Sequence, residues 1–262
     1  MDQSYRRRQL LAAGATAGAV AAAGCLGTRE GAVPVPTVTD DRIEDEWRLV
    51  DESSEQVFEE SYGPVTVQAL SRAMVYEYVS VAEVIADTFD AEGSPVLFFS
   101  TRIDLRPAID SLPFGLGRDR VMTEVEAAAE EAFRSELENG GIENVETTDT
   151  RTIEVDTGYE ATLFGFSGTY PIAGEFSFEG FTQSFDDEIE IQARVGVWHD
   201  GTDVLLAGGA YPTNPLSEPI EDAIEDAPVE LGDVLDADTE EALSTDPETF
   251  EEDIDALLRS VE

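Results

Sequence analysis

Lysine is absent from the 262-residue sequence, so all 15 of its basic residues are arginine, against 58 acidic residues and a formal net charge of -43. With so few cations there is no basic patch to neutralise phosphates, and nucleic-acid binding is excluded. Cysteine and histidine each occur once, as Cys25 and His199. One cysteine makes no intrachain disulfide, and the pair falls short of the four ligands, or three plus water, that a zinc site requires. No apolar run is long enough for a membrane span. The longest, Leu10 to Ala23, would reach only about 21 Å as a helix, against a hydrocarbon core of roughly 30 Å.

Hydrophobic residues are not scarce. They make up 42% of the chain, with 13 Phe, 7 Tyr and 2 Trp, a normal endowment for a globular core. A charge of this size would oppose compaction in dilute buffer. In molar salt the Debye length shrinks to about 3 Å, and the same carboxylates repel one another weakly while holding water and cations. The composition is that of a folded protein adapted to high salt.

The N-terminus reads as an address. Ser4-Tyr5-Arg6-Arg7-Arg8-Gln9-Leu10-Leu11 resembles a twin-arginine export signal, with Arg7 and Arg8 as the pair. The apolar run ends in Ala22-Ala23-Gly24-Cys25, which is similar to the lipobox of bacterial and archaeal lipoproteins, although Ala22 stands where that family usually has a larger aliphatic residue. The resemblance implies lipidation of the Cys25 sulfur after cleavage and attachment to the outer face of the cytoplasmic membrane. A stable anchor of this kind takes two lipid chains. Together with the acidic, lysine-free body, these motifs resemble haloarchaeal twin-arginine-exported lipoproteins of an uncharacterised family.

Beyond residues 1–25, the stretch 26–45 carries Gly27, Gly31, Pro34 and Pro36 without hydrophobic periodicity and is expected to be a flexible tether. Residues 46–212 carry strand patterns. Val65, Val67 and Ala69 alternate with polar residues, and Ile189, Ile191, Ala193, Val195 and Val197 do so most regularly. A polar turn is expected around Ser53 and Ser54, and a separate short strand around Phe176 and Phe178. Ser80 with Glu83 suggests a capping box opening a short helix. One long helix is expected over about 119–139, where Met122, Val125, Ala129, Ala132, Phe133 and Leu137 form a stripe that ends at Gly140-Gly141. The expected fold is therefore α+β, an antiparallel sheet packed against that one long helix. Residues 213–262 read as an acidic C-terminal segment, partly helical around 219–226 and 248–260, a loosely packed tail being favoured slightly over a docked helical arm.

No catalytic constellation emerges. His199 occupies a turn beside Asp200 and Gly201, and Ser167 lacks the glycine two positions on that a nucleophile elbow needs. Asp236, Asp238 and Glu240 fail as a calcium loop, since Glu241 and Pro247 replace its glycine and its bidentate glutamate. Asp186, Asp187 and Glu188 allow only diffuse cation binding. The cluster Phe164, Phe166, Tyr170, Phe176, Phe178, Phe181 and Phe185 reads as core or as an apolar groove. No cofactor is expected. The reading is a non-catalytic, lipid-anchored surface protein that binds an envelope protein or a small apolar ligand. The alternative is an anchored hydrolase working with carboxylates alone, such as a glycoside hydrolase; a solute receptor would call for two lobes and a longer chain.

Overall fold

The computed structural model describes residues 31–62, 65–88, 94–108, 118–178, 181–225 and 230–262. Seven strands form one antiparallel sheet: β1 (Trp47–Tyr62), β2 (Val65–Tyr78), β3 (Leu97–Arg106), β4 (Glu143–Glu154), β5 (Glu160–Phe178), β6 (Phe181–His199) and β7 (Asp203–Pro212). Their spatial order is β1-β2-β3-β7-β6-β5-β4. Two meanders, β1 to β3 and β4 to β7, thus join through β3 and β7, and the chain crosses from the middle of the sheet to its far edge between them. That crossover carries helix α3 (Arg118–Asn139). The other described helices are α1 (Arg42–Asp45), α2 (Val79–Thr88), α4 (Glu218–Ile224), α5 (Leu231–Val234), α6 (Ala237–Leu243) and α7 (Pro247–Arg259).

This overturns the expected architecture of an α+β sheet packed on one long helix with an acidic tail. The sheet is the dominant element, and among the described residues six further helices, most of them short, accompany α3. The strand register assigns the two faces. On one lie Val75, Leu97, Phe99, Leu206, Ala210, Val195, Ile191 and Phe166, and Phe133 of α3 meets Phe99 and Phe166 there at 5.2 and 5.3 Å between ring centroids. On the other lie Tyr78, Phe98, Arg194, Gly196, Trp198, Leu205 and Tyr211, and this face is covered by α7. Gly196 and Gly209 let that helix approach closely, because Leu258 and Ile254 sit 3.2 and 3.0 Å from where their Cβ atoms would stand.

The acidic tail is therefore a structural arm. In α7 the apolar residues Phe250, Ile254, Leu257 and Leu258 are all buried, spaced to share one stripe, while Glu248 and Glu252 are exposed. Asp246 caps the helix through the Glu248 amide, Pro247 occupies the first turn and Arg259 the last. Phe250 docks edge-on against Tyr78, which in turn meets Trp47. The chain that enters the domain is stitched to the end of this arm. Thr37 and Glu262 exchange backbone hydrogen bonds of 2.7 and 2.8 Å, and Val38 bridges Val261. Residues 37–45 of the expected tether are thus built into the domain, with α1 following the bridge.

Two strand readings also change. The turn expected at Ser53 and Ser54 is continuous strand, the polar stretch of β1 being accommodated by irregularities between Leu49 and Asp51 and between Gln56 and Phe58. The expected short strand at Phe176 is the end of β5, which pairs with β6 from Thr162 opposite Val197 to Phe178 opposite Phe181. β7 is buried almost throughout, as a central strand covered on both faces must be, whereas edge strand β4 is charged and mostly exposed.

Candidate functional site

The register brings small and apolar side chains of five strands to the α3 side of the sheet, but α3 lies over the β4 to β6 half. The helix stripe is correspondingly only partly covered: Met122, Ala129 and Leu137 are buried, Val125 and Phe133 half-buried and Ala132 exposed. Where the helix does not reach the sheet, a cavity of about 430 Å³ remains, within the range of small-molecule sites. Its floor is Val75, Leu97, Phe99 and Leu206, and Ala129, Phe133 and Leu137 wall it on the helix side. Ile191, Val195 and Ala210 close one end, and Ser53, Glu55, Ser71 and Thr101 line the other.

The expected aromatic cluster contributes to this side of the sheet in part. Phe164, Phe166 and Tyr170 are buried, Tyr170 lines the cavity, and Arg134 of α3 lies over the Phe166 ring at 5.8 Å. Phe176 and Phe178 fall in β5, and Phe181 and Phe185 in β6, away from its centre along the strands.

The single imidazole does not join this cavity. His199 ends β6, where its Nδ1 accepts a hydrogen bond from the Gly201 amide at 3.2 Å and its ring lies 6.2 Å from that of Tyr159. It lines a second cavity of about 500 Å³ with Met122, Glu126, Tyr159 and Glu160. Ser167 is a mid-strand residue of β5 opposite Gln192 and is not brought to His199. Asp186, Asp187 and Glu188 are exposed on β6, and Asp236 serves as the N-cap of α6, accepting from the Thr239 amide. Among the described residues no group of three or more His, Cys, Asp or Glu is arranged to hold a metal ion, and no helix is long and apolar enough to cross a membrane. Arg7, Arg8 and Cys25 lie outside the described residues.

Three charged clusters stand on the α7 side. Arg194, buried at mid-strand, donates to Glu251 at 2.8 Å, to Asp255 and to the Tyr211 hydroxyl, which donates to Gln192 at 3.1 Å. Burial opposes its charge, but the two carboxylates outweigh that and hold the guanidinium above its ordinary range. Arg102 and Arg106 pair with the buried Asp203 and Asp104 at 2.9 and 2.8 Å. The third cluster escaped the sequence reading. Asp253 of α7 is 5% exposed, its Oδ1 meets Arg42 at 3.1 Å and its Oδ2 has no donor. Burial, the neighbouring Glu46 carboxylate and Asp40 push its carboxyl up to about 7 against the pull of Arg42. The signal was legible, for Asp253 falls between Phe250 and Ile254 on the apolar stripe, at a position the helical period buries.

A single antiparallel sheet with helices on both faces and an apolar cavity under the crossover helix defines the class of the domain. Within that class, the chain belongs to the family described as Domain of unknown function DUF6517, whose model matches residues 35–262. This match begins two residues before the Thr37 to Glu262 stitch and includes the whole acidic arm. No match was found among curated proteins or among solved structures.

Proposed function

We propose that this is an exported, lipid-anchored surface protein of a salt-adapted cell whose folded body binds a small apolar ligand in the cavity beneath α3. The observation that carries the binding reading is that cavity. Its walls are Val, Leu, Ile, Phe and Ala side chains left half-covered by a helix that overlies only part of the sheet. Apolar surface of this kind is stabilised by any occupant that removes it from water, at about 25 cal/mol per Å². The anchor rests on the N-terminal pattern from Arg7 and Arg8 to Cys25.

Titration of the mature protein with an uncharged solvatochromic dye in molar KCl tests the binding. One saturable site, abolished by Ala132→Trp on the exposed rim of α3, is the expected result; absence of saturable binding refutes it. For the anchor, Cys25→Ser is expected to shift the protein from the membrane fraction to the medium. Unchanged fractionation of that variant rules out lipidation at this sulfur.

A further inference from the structure

The two cavities lie toward opposite ends of α3. The apolar one meets the helix from Ala129 to Leu137. The cavity of about 500 Å³ meets it at Met122 and Glu126, and is further lined by Tyr159 and Glu160 at the start of β5 and by Val197 and His199 at the end of β6. Its volume also falls in the range of small-molecule sites, but two carboxylates, an imidazole and a phenol stand among its apolar side chains.

Strand pairing brings these groups together. Thr162 lies opposite Val197, so the strand period carries Glu160 and His199 to the same side of the sheet as that pair. One residue beyond, the Tyr159 hydroxyl still donates to the Asp200 carbonyl at 2.9 Å, and the Tyr159 and His199 rings lie 6.2 Å apart. From the helix, the Glu126 carboxylate accepts from the Thr162 hydroxyl at 2.8 Å. Thr162 and Glu160 are two residues apart on one face of β5, about 7 Å at the usual rise.

The turn after β6 fixes His199 as a donor. Its Nδ1 accepts from the Gly201 amide at 3.2 Å, which leaves the ring proton on Nε2. A donor thus stands in the same cavity as two acceptors, the carboxylates of Glu126 and Glu160. An ammonium group brings donors only and a carboxylate acceptors only, so either leaves part of this set unmatched. A hydroxyl both donates and accepts, and matches all three. Met122 and Val197, which are buried, and the partly exposed ring of Tyr159 offer apolar surface to the C–H faces of the same molecule.

We infer that this second cavity binds a neutral, hydroxyl-rich ring, a single sugar residue, held by His199 Nε2 and the carboxylates of Glu126 and Glu160. The site is separate from the apolar cavity, and either can fail without the other. Methyl glycosides of glucose, galactose and mannose are titrated calorimetrically into the mature protein in molar KCl, with the amino sugar in its ammonium form and the uronate of each ring as charged counterparts. At least one neutral glycoside is expected to bind saturably and more tightly than both of its charged counterparts. His199→Phe, which removes the donor, and Glu126→Gln, which keeps an acceptor for Thr162 but not the charge, are each expected to lower that affinity about three- to tenfold.

Absence of saturable binding by all three neutral glycosides overturns the inference. So does an amino sugar that binds as tightly as its neutral parent, the mark of general attraction to an acidic surface, or parent affinity in both variants. His199 and Glu126 are only half-buried, so both variants are expected to fold, and melting temperatures close to that of the parent confirm that they have. Retention on agarose carrying the bound sugar, compared with binding of the free glycoside, tells a chain-borne saccharide from a free one, and either source keeps the inference.

Discussion

At the residue scale the most informative group is Asp253, a carboxyl placed in the apolar stripe of α7 and wedged against Arg42, Glu46 and Asp40, with Tyr78 of β2 close by. Its folded pKa of about 7 lies above the ordinary carboxylate value of about 3.9. Between those values the folded chain holds a proton that the unfolded chain has lost. Its contribution to stability is therefore full below about pH 4, declines as the pH rises toward 7 and is gone above that. Asp253→Asn, which keeps the shape without the charge, is expected to melt higher than the parent at about pH 8. Its melting temperature should also vary less between about pH 4 and 7, and calorimetry at a series of pH values checks both. Equal pH dependence in the two proteins would show that the carboxyl is ionised throughout.

At the element scale the structure departs furthest from expectation in α7. Its Asp and Glu content favours a solvated tail, and composition cannot tell that four apolar residues share one buried stripe while Glu248 and Glu252 are left exposed. The periodicity was present in the sequence. What was missing was its receptor, a sheet face whose Gly196 and Gly209 come from strands far away in sequence. By contrast α3 and β6 were legible, because a 22-residue stripe and five alternating positions carry their own signal. The cavity was not, since it arises from the offset between helix and sheet, a tertiary quantity no local pattern encodes. If α7 is core, Ile254→Ala should cost about 2–5 kcal/mol, as for other fully buried aliphatic residues, and should do so in one cooperative transition in denaturant. A loss below about 0.5 kcal/mol, the range of surface changes, would mean that the arm is peripheral to folding.

At the scale of the whole molecule, the balance is between a core of ordinary hydrophobicity and a surface of net charge -43. Each of the arginines at positions 42, 48, 72, 102, 106, 151 and 194 pairs with at least one carboxylate, leaving the excess acids to the solvent. Lowering KCl from molar to about 0.1 M lengthens the Debye length from about 3 to about 10 Å and lets those carboxylates repel across the surface. The melting temperature is expected to fall steeply over this range, and to recover with any monovalent chloride at equal ionic strength. A melting point independent of salt would mean that the acidity plays no part in matching the chain to its solvent.

The stitch between Thr37 and Glu262 would have a mechanical consequence were the body hung from Cys25, as proposed above. Gly31 already accepts a hydrogen bond from Arg106 and Val33 is buried, so the free leash from Cys25 to Gly31 would reach no more than about 20 Å. A tug on such a lipid would reach the Gly31 and Val33 contacts first and then the Val38 to Val261 bridge, so the load would pass from the end of the acidic arm through α7 into the middle of the sheet.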